Sequence, residues 1–361
     1  MPEARPSLLG QSPEEIEALC LKLGAEKYRA TQIVSAAYKQ RSKTFDDIPA
    51  LPKQLRNSLA QSHSLRLCRM AEVIRSADET RRFLIALPDD ECVESVLIPD
   101  GGRLTLCLST QVGCAMGCRF CASAQIGFKR NLNAGEMIEE IFLASELATS
   151  ELGDSAELTN VVFMGTGEPL ANYDQLSRAL TAINAKWGLG IGARRITVST
   201  IGLPAAMIRF AREFPQINIA VSLHAPDDAT RNQIVPANIK TGIKAVLTAA
   251  KQCYETAHRE VTIEYVLLEG VNSSRVDARK LASALRGLRV NVNLIPFNEA
   301  PALPFAAPPP AVISAFREEL ERRGLNVHIR RSRGSDIGAA CGQLRLARSG
   351  QTTRDSGTES S

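Results

Sequence analysis

Three cysteines within a span of eight residues constrain this chain more than any other feature. Cys114, Cys118 and Cys121 have the spacing C-x3-C-x2-C, so one short loop must present three thiols together. Four cysteine thiolates close a cubane iron–sulfur cluster, and three would leave one iron open to a small molecule. The alternative is a four-cysteine zinc site completed by Cys107, although structural zinc sites usually divide their ligands between two separate knuckles. The spacing favours the open cluster and leaves zinc as the alternative.

Composition indicates a globular protein with a sizeable core. The chain has 361 residues, of which 44% are hydrophobic and 23% charged, and this length suggests about two domains. It has no apolar run of about 18 residues and no signal-peptide pattern at its start, so we expect no membrane partner. Nine cysteines without a disulfide-like framework indicate a reducing compartment, the cytoplasm.

Positive charge is concentrated in two places. The net charge is only +4, but residues 1–75 hold twelve basic side chains against eight acidic ones, and five arginines lie close together near the carboxyl terminus. Those five are Arg322, Arg323, Arg330, Arg331 and Arg333. Basic patches suit phosphate backbones, but Lys and Arg are also common on any solvated surface. Charge by itself therefore permits nucleic-acid binding without requiring it.

The pattern of the chain changes near residue 65. Residues 12–62 have helical periodicity, and Ser12 followed by Pro13 is typical of a helix start. Beyond them, residues 72–76 and 80–87 predict a hairpin that turns at 77–79. We therefore divide the chain into a helical accessory domain (1–75), a main domain (76–346) and a polar tail (347–361) that we expect to be disordered.

Strands and helices alternate through the main domain. Repeated βα units predict an α/β fold with a parallel sheet, either open or curled into a barrel. The predicted strands are 95–98, 104–108, 161–164, 195–200, 218–223, 262–268, 291–297 and 326–331. The predicted helices between them include 136–148, 173–187, 204–213, 243–254 and 275–285, and residues 301–310 form a Pro/Ala-rich loop.

Polar residues follow several of these strands at the point where each strand ends. They are the turn 165–169 (Gly-Thr-Gly-Glu-Pro), Ser199, the run 222–224 (Ser-Leu-His), Asn298 and the cysteine loop itself. Each one alone is more typical of a turn, a cap or a satisfied structural side chain. In parallel α/β barrels, however, catalytic groups gather at the carboxyl ends of the strands. Their common position therefore predicts a single site.

Six stretches together resemble the RlmN/Cfr family of radical-SAM RNA methyltransferases, in family order from about residue 29 to 344. C-x3-C-x2-C is the signature of radical-SAM enzymes, in which S-adenosylmethionine chelates the open iron. The matching stretches are 107–121 (CLSTQVGCAMGCRFC), 163–169 (FMGTGEP), 198–200 (VST), 221–226 (VSLHAP), 294–298 (LIPFN) and 333–343 (RGSDIGAACGQ).

The resemblance implies a fold, two cofactors and a set of binding residues. The fold is a partial (βα)6 TIM-like barrel behind an amino-terminal helical domain that contacts RNA. A [4Fe-4S] cluster would be held by Cys114, Cys118 and Cys121. The positions that match the family's S-adenosylmethionine site are Gly167, Glu168, Ser199, Ser222, Leu223, His224 and Asn298.

The resemblance also implies a reaction in which three further residues act. Cys341 would be methylated, and its methyl group, once a hydrogen is removed, would add to carbon 2 of an adenosine and tether RNA to protein. Glu94 matches the position of the proton acceptor, and Cys107 matches the cysteine that resolves the adduct as a disulfide. The implied substrates are 23S rRNA and tRNA, with an electron donor such as flavodoxin and a monomeric enzyme.

Two other functions stay open at this point. Methylation at carbon 8 of adenosine, the antibiotic-resistance activity of the same family, would use the same cysteines. A non-catalytic iron–sulfur or zinc protein that binds RNA would keep the three-cysteine loop but would not need Cys341 or Glu168.

Overall fold

The computed structural model describes residues 5–300 and 303–344. The tail predicted to be disordered, 347–361, lies outside the described residues. Within the described part, no helix is long and apolar enough to cross a membrane.

Three helices precede the sheet, as the helical periodicity predicted. They are α1 (Pro13–Lys22), α2 (Tyr28–Tyr38) and α3 (Lys53–Ser62). A capping box starts α1, because the Ser12 hydroxyl accepts from the backbone N–H of Glu15 and the Glu15 carboxylate accepts from that of Ser12. The buried side chains of these helices, among them Ile16 and Ile33, belong to the same hydrophobic core as the main domain. The helical segment therefore packs on the sheet domain and shares its interior.

One ten-stranded sheet forms the centre of the molecule. It begins with an antiparallel meander, β1 (Arg69–Arg75), β2 (Arg81–Ala86), β3 (Cys92–Asp100) and β4 (Arg103–Leu108). A separate two-stranded hairpin, β5 (Gln111–Gly113) and β6 (Phe128–Asn131), flanks the cysteine loop. The large sheet then continues in parallel through β7 (Asn160–Phe163), β8 (Ile196–Thr200), β9 (Asn218–Ser222), β10 (Val261–Leu267), β11 (Val290–Pro296) and β12 (Asn326–Ile329).

A helical connection precedes each new parallel strand. The helices are α4 (Ala134–Leu152), α5 (Tyr173–Asn184), α6 (Pro204–Glu213), α7 (Asp228–Ile234), α8 (Asn238–Thr241), α9 (Ile243–Ala257), α10 (Arg275–Ala284) and α11 (Pro310–Glu321). Counted from β4, six strand-and-helix units lead to β12, which confirms the predicted (βα)6 arrangement.

The parallel part of the sheet curls into an open barrel. β4 and β12 are six strand spacings apart, roughly 29 Å if the sheet were flat. Residues of both strands nevertheless line one cavity of about 500 Å³, together with residues 339–344. In the described residues β12 pairs only with β11, so the barrel stays open on that side and the carboxyl-terminal segment fills the gap.

Side chains alternate between two environments along each barrel strand. In β10, for example, Ile263 and Tyr265 are buried in the core shared with the helices, while Glu264 and Val266 line an inner cavity. This two-residue period explains why polar groups can lie inside strands that are otherwise apolar. It also fixes which residues face the interior of the barrel.

All eight predicted strands and all five predicted helices of the main domain are present, with ends shifted by a few residues. The β5–β6 hairpin and helices α7, α8 and α11 were not predicted from the sequence. The strands of that hairpin are only three and four residues long, too short for a period to be visible. Residues 301–310 were predicted to be a loop, but helix α11 begins at Pro310. Proline is tolerated at the first helical position, so the last residue of the predicted loop starts the helix.

A buried tyrosine allows the packing of the helical segment to be tested. The Tyr38 hydroxyl accepts a hydrogen bond of 2.8 Å from the backbone N–H of Gly10, in a buried position. Tyr38→Phe would leave that N–H unpaired, at a cost of about 1–3 kcal/mol, so we expect the midpoint of thermal unfolding to fall by several degrees. Tyr28→Phe is the matched control, because Tyr28 is 54% exposed. Equal midpoints for the two variants would contradict this packing.

Candidate active site

The three clustered cysteines lie in a loop between β5 and β6, next to the mouth of the barrel. Cys118 is buried, Cys114 and Cys121 are half-buried, and the three thiols interact electrostatically with one another. In the described residues no three Cys, His, Asp or Glu side chains are arranged to hold a single metal ion.

The structure does not support a zinc site completed by Cys107. Cys107 lies on β4 and packs with Val96, Ala339 and Leu344, whereas Cys118 belongs to a different hydrophobic cluster. The thiol that interacts with Cys107 is that of Cys341. A zinc site in the cysteine loop would therefore lack its fourth ligand, because Cys107 interacts with Cys341 instead.

An inner cavity of about 160 Å³ brings most of the predicted cofactor residues together. It is bounded by the cysteine loop on one side and by the carboxyl ends of β7 to β11 on the other. The predicted residues that line it are Cys114, Cys118, Cys121, Gly167, Glu168, Ser199, Ser222, His224 and Asn298. Leu223 differs, because its side chain is fully buried in the core and only its backbone lies near the site.

Close packing explains the glycine of the Gly-Glu turn. Gly167 has a φ of +111°, and a Cβ there would lie 2.7 Å from Gln111 Cβ and 2.8 Å from Thr110 Oγ1. The turn is fixed further because the backbone N–H of Glu168 donates to Gln111 Oε1 at 2.9 Å. The residues that follow β4 and the turn that follows β7 therefore pack against each other and form one wall of the cavity.

Glu168 is a buried carboxyl that connects two strand ends. Its Oε1 accepts from the backbone N–H of Leu170 at 3.0 Å and its Oε2 from that of Ile201 at 2.7 Å. Burial raises the pKa of Glu168 to about 7, although hydrogen bonds from Ile201, Thr200 and Leu170 oppose the rise. The carboxyl is thus a fixed hydrogen-bond acceptor in the wall of the inner cavity.

His224 is held as a neutral ring. Its Nδ1 accepts from the backbone N–H of Val266 at 3.0 Å, and the ring packs edge-on against Phe120 with centroids 4.8 Å apart. Burial, together with the charge of Arg231, lowers the pKa of His224 to about 3. Nearby, the hydroxyls of Ser199 and Ser222 are 3.3 Å apart and line the same cavity.

Cys341 lies in the wall between the inner cavity and the larger outer cavity. Its thiol is half-buried, and the residue lines both cavities, as do Asn298 and Arg330. Asn298 holds the backbone there, because its Nδ2 donates to the carbonyl of Cys341 at 3.1 Å. The backbone N–H of Ala122 donates to the carbonyl of Gly342 at 2.7 Å, which joins this segment to the cysteine loop.

Glu94 and Cys107 border the same interior from β3 and β4. Glu94 is 3% exposed, and its Oε1 lies 3.2 Å from Arg82 Nη1 in a salt bridge. Burial raises the pKa of the Cys107 thiol to about 12, the thiol of Cys341 adds to the rise, and Arg330 opposes it. All nine cysteines lie in the described ranges and are free thiols, so a disulfide between Cys107 and Cys341 is not part of this structure.

Three further residues were missed as site residues. Arg330 lines both cavities, and Glu264, 3% exposed, lines the inner one and interacts with Arg330. Arg231 is 1% exposed and donates to the carbonyls of Leu223 and Ser222 at the end of β9 and of Ile201 after β8, which ties these two strand ends together. A signal for Glu264 exists, since it is a lone acid inside an apolar strand. Arg330 belongs in the sequence to a basic cluster close to Cys341, but it was not predicted as a site residue.

The donor set fits a cluster and a nucleoside-type cofactor. Three thiols on one loop suit three irons, and the adjoining cavity offers backbone, hydroxyl, amide and carboxyl groups for a polar ligand.

The whole chain is similar to proteins of known family. Residues 108–282 match the family described as the Radical SAM superfamily, and residues 7–65 match the ribosomal RNA large subunit methyltransferase N-terminal domain. A probable dual-specificity RNA methyltransferase RlmN of Rhodopirellula baltica is 42% identical over 94% of this chain and 91% of that protein. The dual-specificity RNA methyltransferase RlmN of Syntrophus aciditrophicus is 41% identical over 94% of this chain and 96% of its own length.

A solved structure agrees with these relatives. The crystal structure of a radical SAM methyltransferase from Sphaerobacter thermophilus has a TM-score of 0.90 and 42% sequence identity, covering 95% of this chain and 100% of that one. The similarity to this structure extends over more of the chain than either family model covers.

Gly167 provides a test of the inner cavity as the S-adenosylmethionine site. Gly167→Ala would push the turn away from Gln111, so we expect the affinity of the anaerobically reconstituted protein for S-adenosylmethionine to fall by about tenfold or more, a loss of about 1.4 kcal/mol. Gly190→Ala is the control, since Gly190 has a φ of +72° but open space around its Cβ. Equal affinities for the two variants would argue against this cavity.

The pKa of Cys107 predicts how fast its thiol is alkylated. Below a pKa of about 12 the thiolate fraction rises tenfold per pH unit, so labelling by iodoacetamide, followed by peptide mass spectrometry, should still be rising between pH 8 and 10. Arg330→Met removes the charge that lowers this pKa and should slow labelling at each pH. The exposed neighbour Arg331, changed to Met, should have no effect. A plateau below pH 9 would contradict the high pKa.

Proposed function

The chain belongs to the RlmN family of radical SAM methyltransferases, and from this premise we propose that it methylates carbon 2 of adenosine in 23S rRNA and tRNA in the cytoplasm. The observation that carries the proposal is the position of Cys341 in the wall shared by two cavities. A residue that takes a methyl group from one ligand and delivers it to another must reach both.

The cofactors would sit on the inner side of that wall. When bound, the cluster and S-adenosylmethionine would supply a methyl group and, after one-electron reduction, a carbon radical that removes hydrogen. Cys114, Cys118 and Cys121 would hold the cluster. Gly167, Glu168, Ser199, Ser222, His224, Asn298 and the backbone of Leu223 would hold S-adenosylmethionine.

Cys341 would carry the methyl group. Its sulfur must be both nucleophilic and accessible to accept a methyl group, and the half-buried Cys341 lies beside Arg330 and lines the inner cavity. Carbon 2 of adenine is electrophilic, so direct attack on the methyl group of S-adenosylmethionine is chemically unsuitable. A carbon radical on the Cys341 methyl group can add to that position instead, which links RNA to protein through sulfur.

Glu94 and Cys107 would complete the reaction from the other side of the interior. Glu94 is a buried carboxylate held by Arg82, and we assign to it removal of the proton from carbon 2. Loss of that proton together with one electron, which the cluster would accept, leaves a closed-shell adduct between RNA and Cys341. The sulfur of Cys107 would then attack the sulfur of Cys341 and break its bond to the methylene carbon. Protonation of that carbon gives the methyl product, and the two cysteines leave as a disulfide that a reductant must reopen.

The outer cavity supports an RNA substrate. Its volume of about 500 Å³ and its lining by Arg103, Arg330, Arg331 and Arg333 suit a nucleotide with a phosphate backbone. A single-stranded or flipped adenosine could enter it and meet Cys341. The helical segment, which matches a ribosomal RNA methyltransferase domain, would contribute further RNA contacts.

Two single-cysteine variants test the roles separately. Cys341→Ala should abolish methylated adenosine and form no RNA–protein adduct, because the methyl carrier is gone. Cys107→Ala should also abolish product but accumulate an RNA–protein adduct that resists denaturant and disappears with nuclease. Denaturing gels and intact-protein mass spectrometry measure both outcomes.

Cys92→Ala is the matched control, since Cys92 is half-buried at the start of β3 and does not line either cavity. It should retain full activity. Product from Cys341→Ala would contradict the proposal. RNA binding without any product from the wild-type protein would favour a non-catalytic RNA-binding protein.

A further inference from the structure

The segment that carries Cys341 has no regular strand or α-helix of its own. We call residues 334–344 the reactive segment. It contains one short 3₁₀ turn, Ser335–Ile337, and glycines with positive φ at 334, 338 and 342. The hydrogen bonds within the segment are local, such as that from the backbone N–H of Ala339 to the carbonyl of Gly334 at 2.8 Å, so its position on the barrel depends on what it contacts.

One end of the reactive segment is fixed beside the cofactor site. There, Asn298 and Ala122 bind the backbone around Cys341, and the Ser123 hydroxyl donates to the carbonyl of Leu344 at 3.0 Å. These contacts belong to the site already described.

The other end is fixed by the tip of the β1–β2 hairpin, about 250 residues away in the sequence. The Asp336 carboxylate accepts from the Ser76 hydroxyl at 2.5 Å and from the backbone N–H of Ala77 at 3.2 Å. In return, Asp78 Oδ2 accepts from the backbone N–H of Gly334 at 3.0 Å. Two aspartates, one on each side, therefore join the hairpin tip to the reactive segment.

The contact is close as well as polar. A Cβ at Gly334 would lie 2.9 Å from both Ala339 Cβ and Thr80 Cγ2, so the backbone of the segment lies directly on the hairpin. Burial opposes ionisation of Asp78, but hydrogen bonds from Thr80, Gly334 and Ser76 outweigh it and lower the pKa of Asp78 to about 2. The Asp78 carboxyl, which accepts the hydrogen bond from Gly334, is therefore ionised at any pH at which the protein would be assayed.

The first strand of the hairpin contributes little else to the fold, whereas β2 buries Phe83 and Ile85 in the hydrophobic core. Most residues of β1 are exposed or half-buried, and β1 lies at the edge of the sheet. The hairpin is nevertheless braced, because Arg81, 5% exposed, donates to Glu151 of α4 at 3.0 Å. Arg82, in β2, binds Glu94 and lies 3.4 Å from the Cβ position of Gly338.

We propose that the β1–β2 hairpin is a positioning element for Cys341, with Asp336, Asp78 and Ser76 as its positioning residues. It fixes the start of the reactive segment, while Asn298 and Ala122 fix the end. The two anchors together hold the Cys341 thiol in the wall between the cavities. The catalytic consequence rests on the proposed function, whereas the positioning itself does not.

Asp336→Ala tests the proposal in the full-length protein, because it removes the two hydrogen bonds that Asp336 accepts from the hairpin tip without changing the hairpin. We expect faster hydrogen exchange in 334–342 and alkylation of Cys341 by N-ethylmaleimide that is faster by about tenfold, since this exposed anchor contributes about one hydrogen bond's net stabilisation. Asp336→Asn keeps one acceptor oxygen and should recover much of the wild-type behaviour.

Asp90→Ala is the matched control, an exposed aspartate in the turn between β2 and β3. Ser76→Ala should reproduce part of the effect, and the Asp336→Ala/Ser76→Ala double variant should show less than the sum of the two, because they share one bond. Exchange and alkylation in Asp336→Ala equal to those in Asp90→Ala would overturn the proposal.

Methylation assays separate this inference from the proposed function. If both hold, Asp336→Ala should lower kcat for methylation while the dissociation constant for S-adenosylmethionine stays at the wild-type value, because the cofactor residues are untouched. If exchange and alkylation change as expected but the wild-type protein methylates no RNA, the positioning element stands and the proposed function fails.

Discussion

The arrangement of the site depends on the docking of one irregular backbone segment into the open side of the barrel. Asn298 and Ala122 donate to the carbonyls of Cys341 and Gly342, so the segment is attached to the end of β11 and to the cysteine loop at once. Without those bonds nothing would hold the thiol of Cys341 between the inner and the outer cavity. Only this placement brings one residue between the polar groups and loop thiols of the inner cavity and the arginines of the outer cavity.

Helix α4 connects the parts that frame the site. Glu139 accepts from the backbone N–H groups of Leu67 and Cys68, which fixes the chain as it leaves the helical segment. Glu140 accepts from the backbone N–H of Ser109 at 3.0 Å, just after β4. Burial raises the pKa of Glu139 to about 7 and that of Glu140 to about 8, although these hydrogen bonds oppose the rise. Buried acids on one helix thus join the helical segment, the meander and the barrel.

Local signals made the fold readable from the sequence. Strands with a two-residue period and helices with caps or apolar faces give patterns within ten or so residues, and their order predicted repeated βα units with a parallel sheet. The count of six units and the partial barrel were expected through the family resemblance. The polar residues after the strands could be grouped for the same reason, because parallel strands bring their carboxyl ends together. Nine of these residues and loop thiols indeed line one cavity.

Contacts between distant parts of the chain left no comparable signal. The bonds of Asp336 to Ser76 and of Gly334 to Asp78 join residues more than 250 positions apart, and a single sequence contains no period that relates them. Glu264 was missed because a lone acid in a strand resembles a surface position until the curl of the sheet is known. The pairing of Cys107 with Cys341, by contrast, was expected only through the family resemblance.

The most direct test of the account identifies the nucleoside that the protein makes. Anaerobically reconstituted protein would be given S-adenosylmethionine, a reductant and unmodified ribosomal RNA, and the digested RNA compared with standards by mass spectrometry. Methylation at carbon 2 would give 2-methyladenosine. An 8-methyladenosine product would contradict the assignment to carbon 2 while keeping the carrier role of Cys341. No methylated adenosine, from protein that holds its cluster and cleaves S-adenosylmethionine, would contradict the central claim that Cys341 delivers a methyl group to RNA.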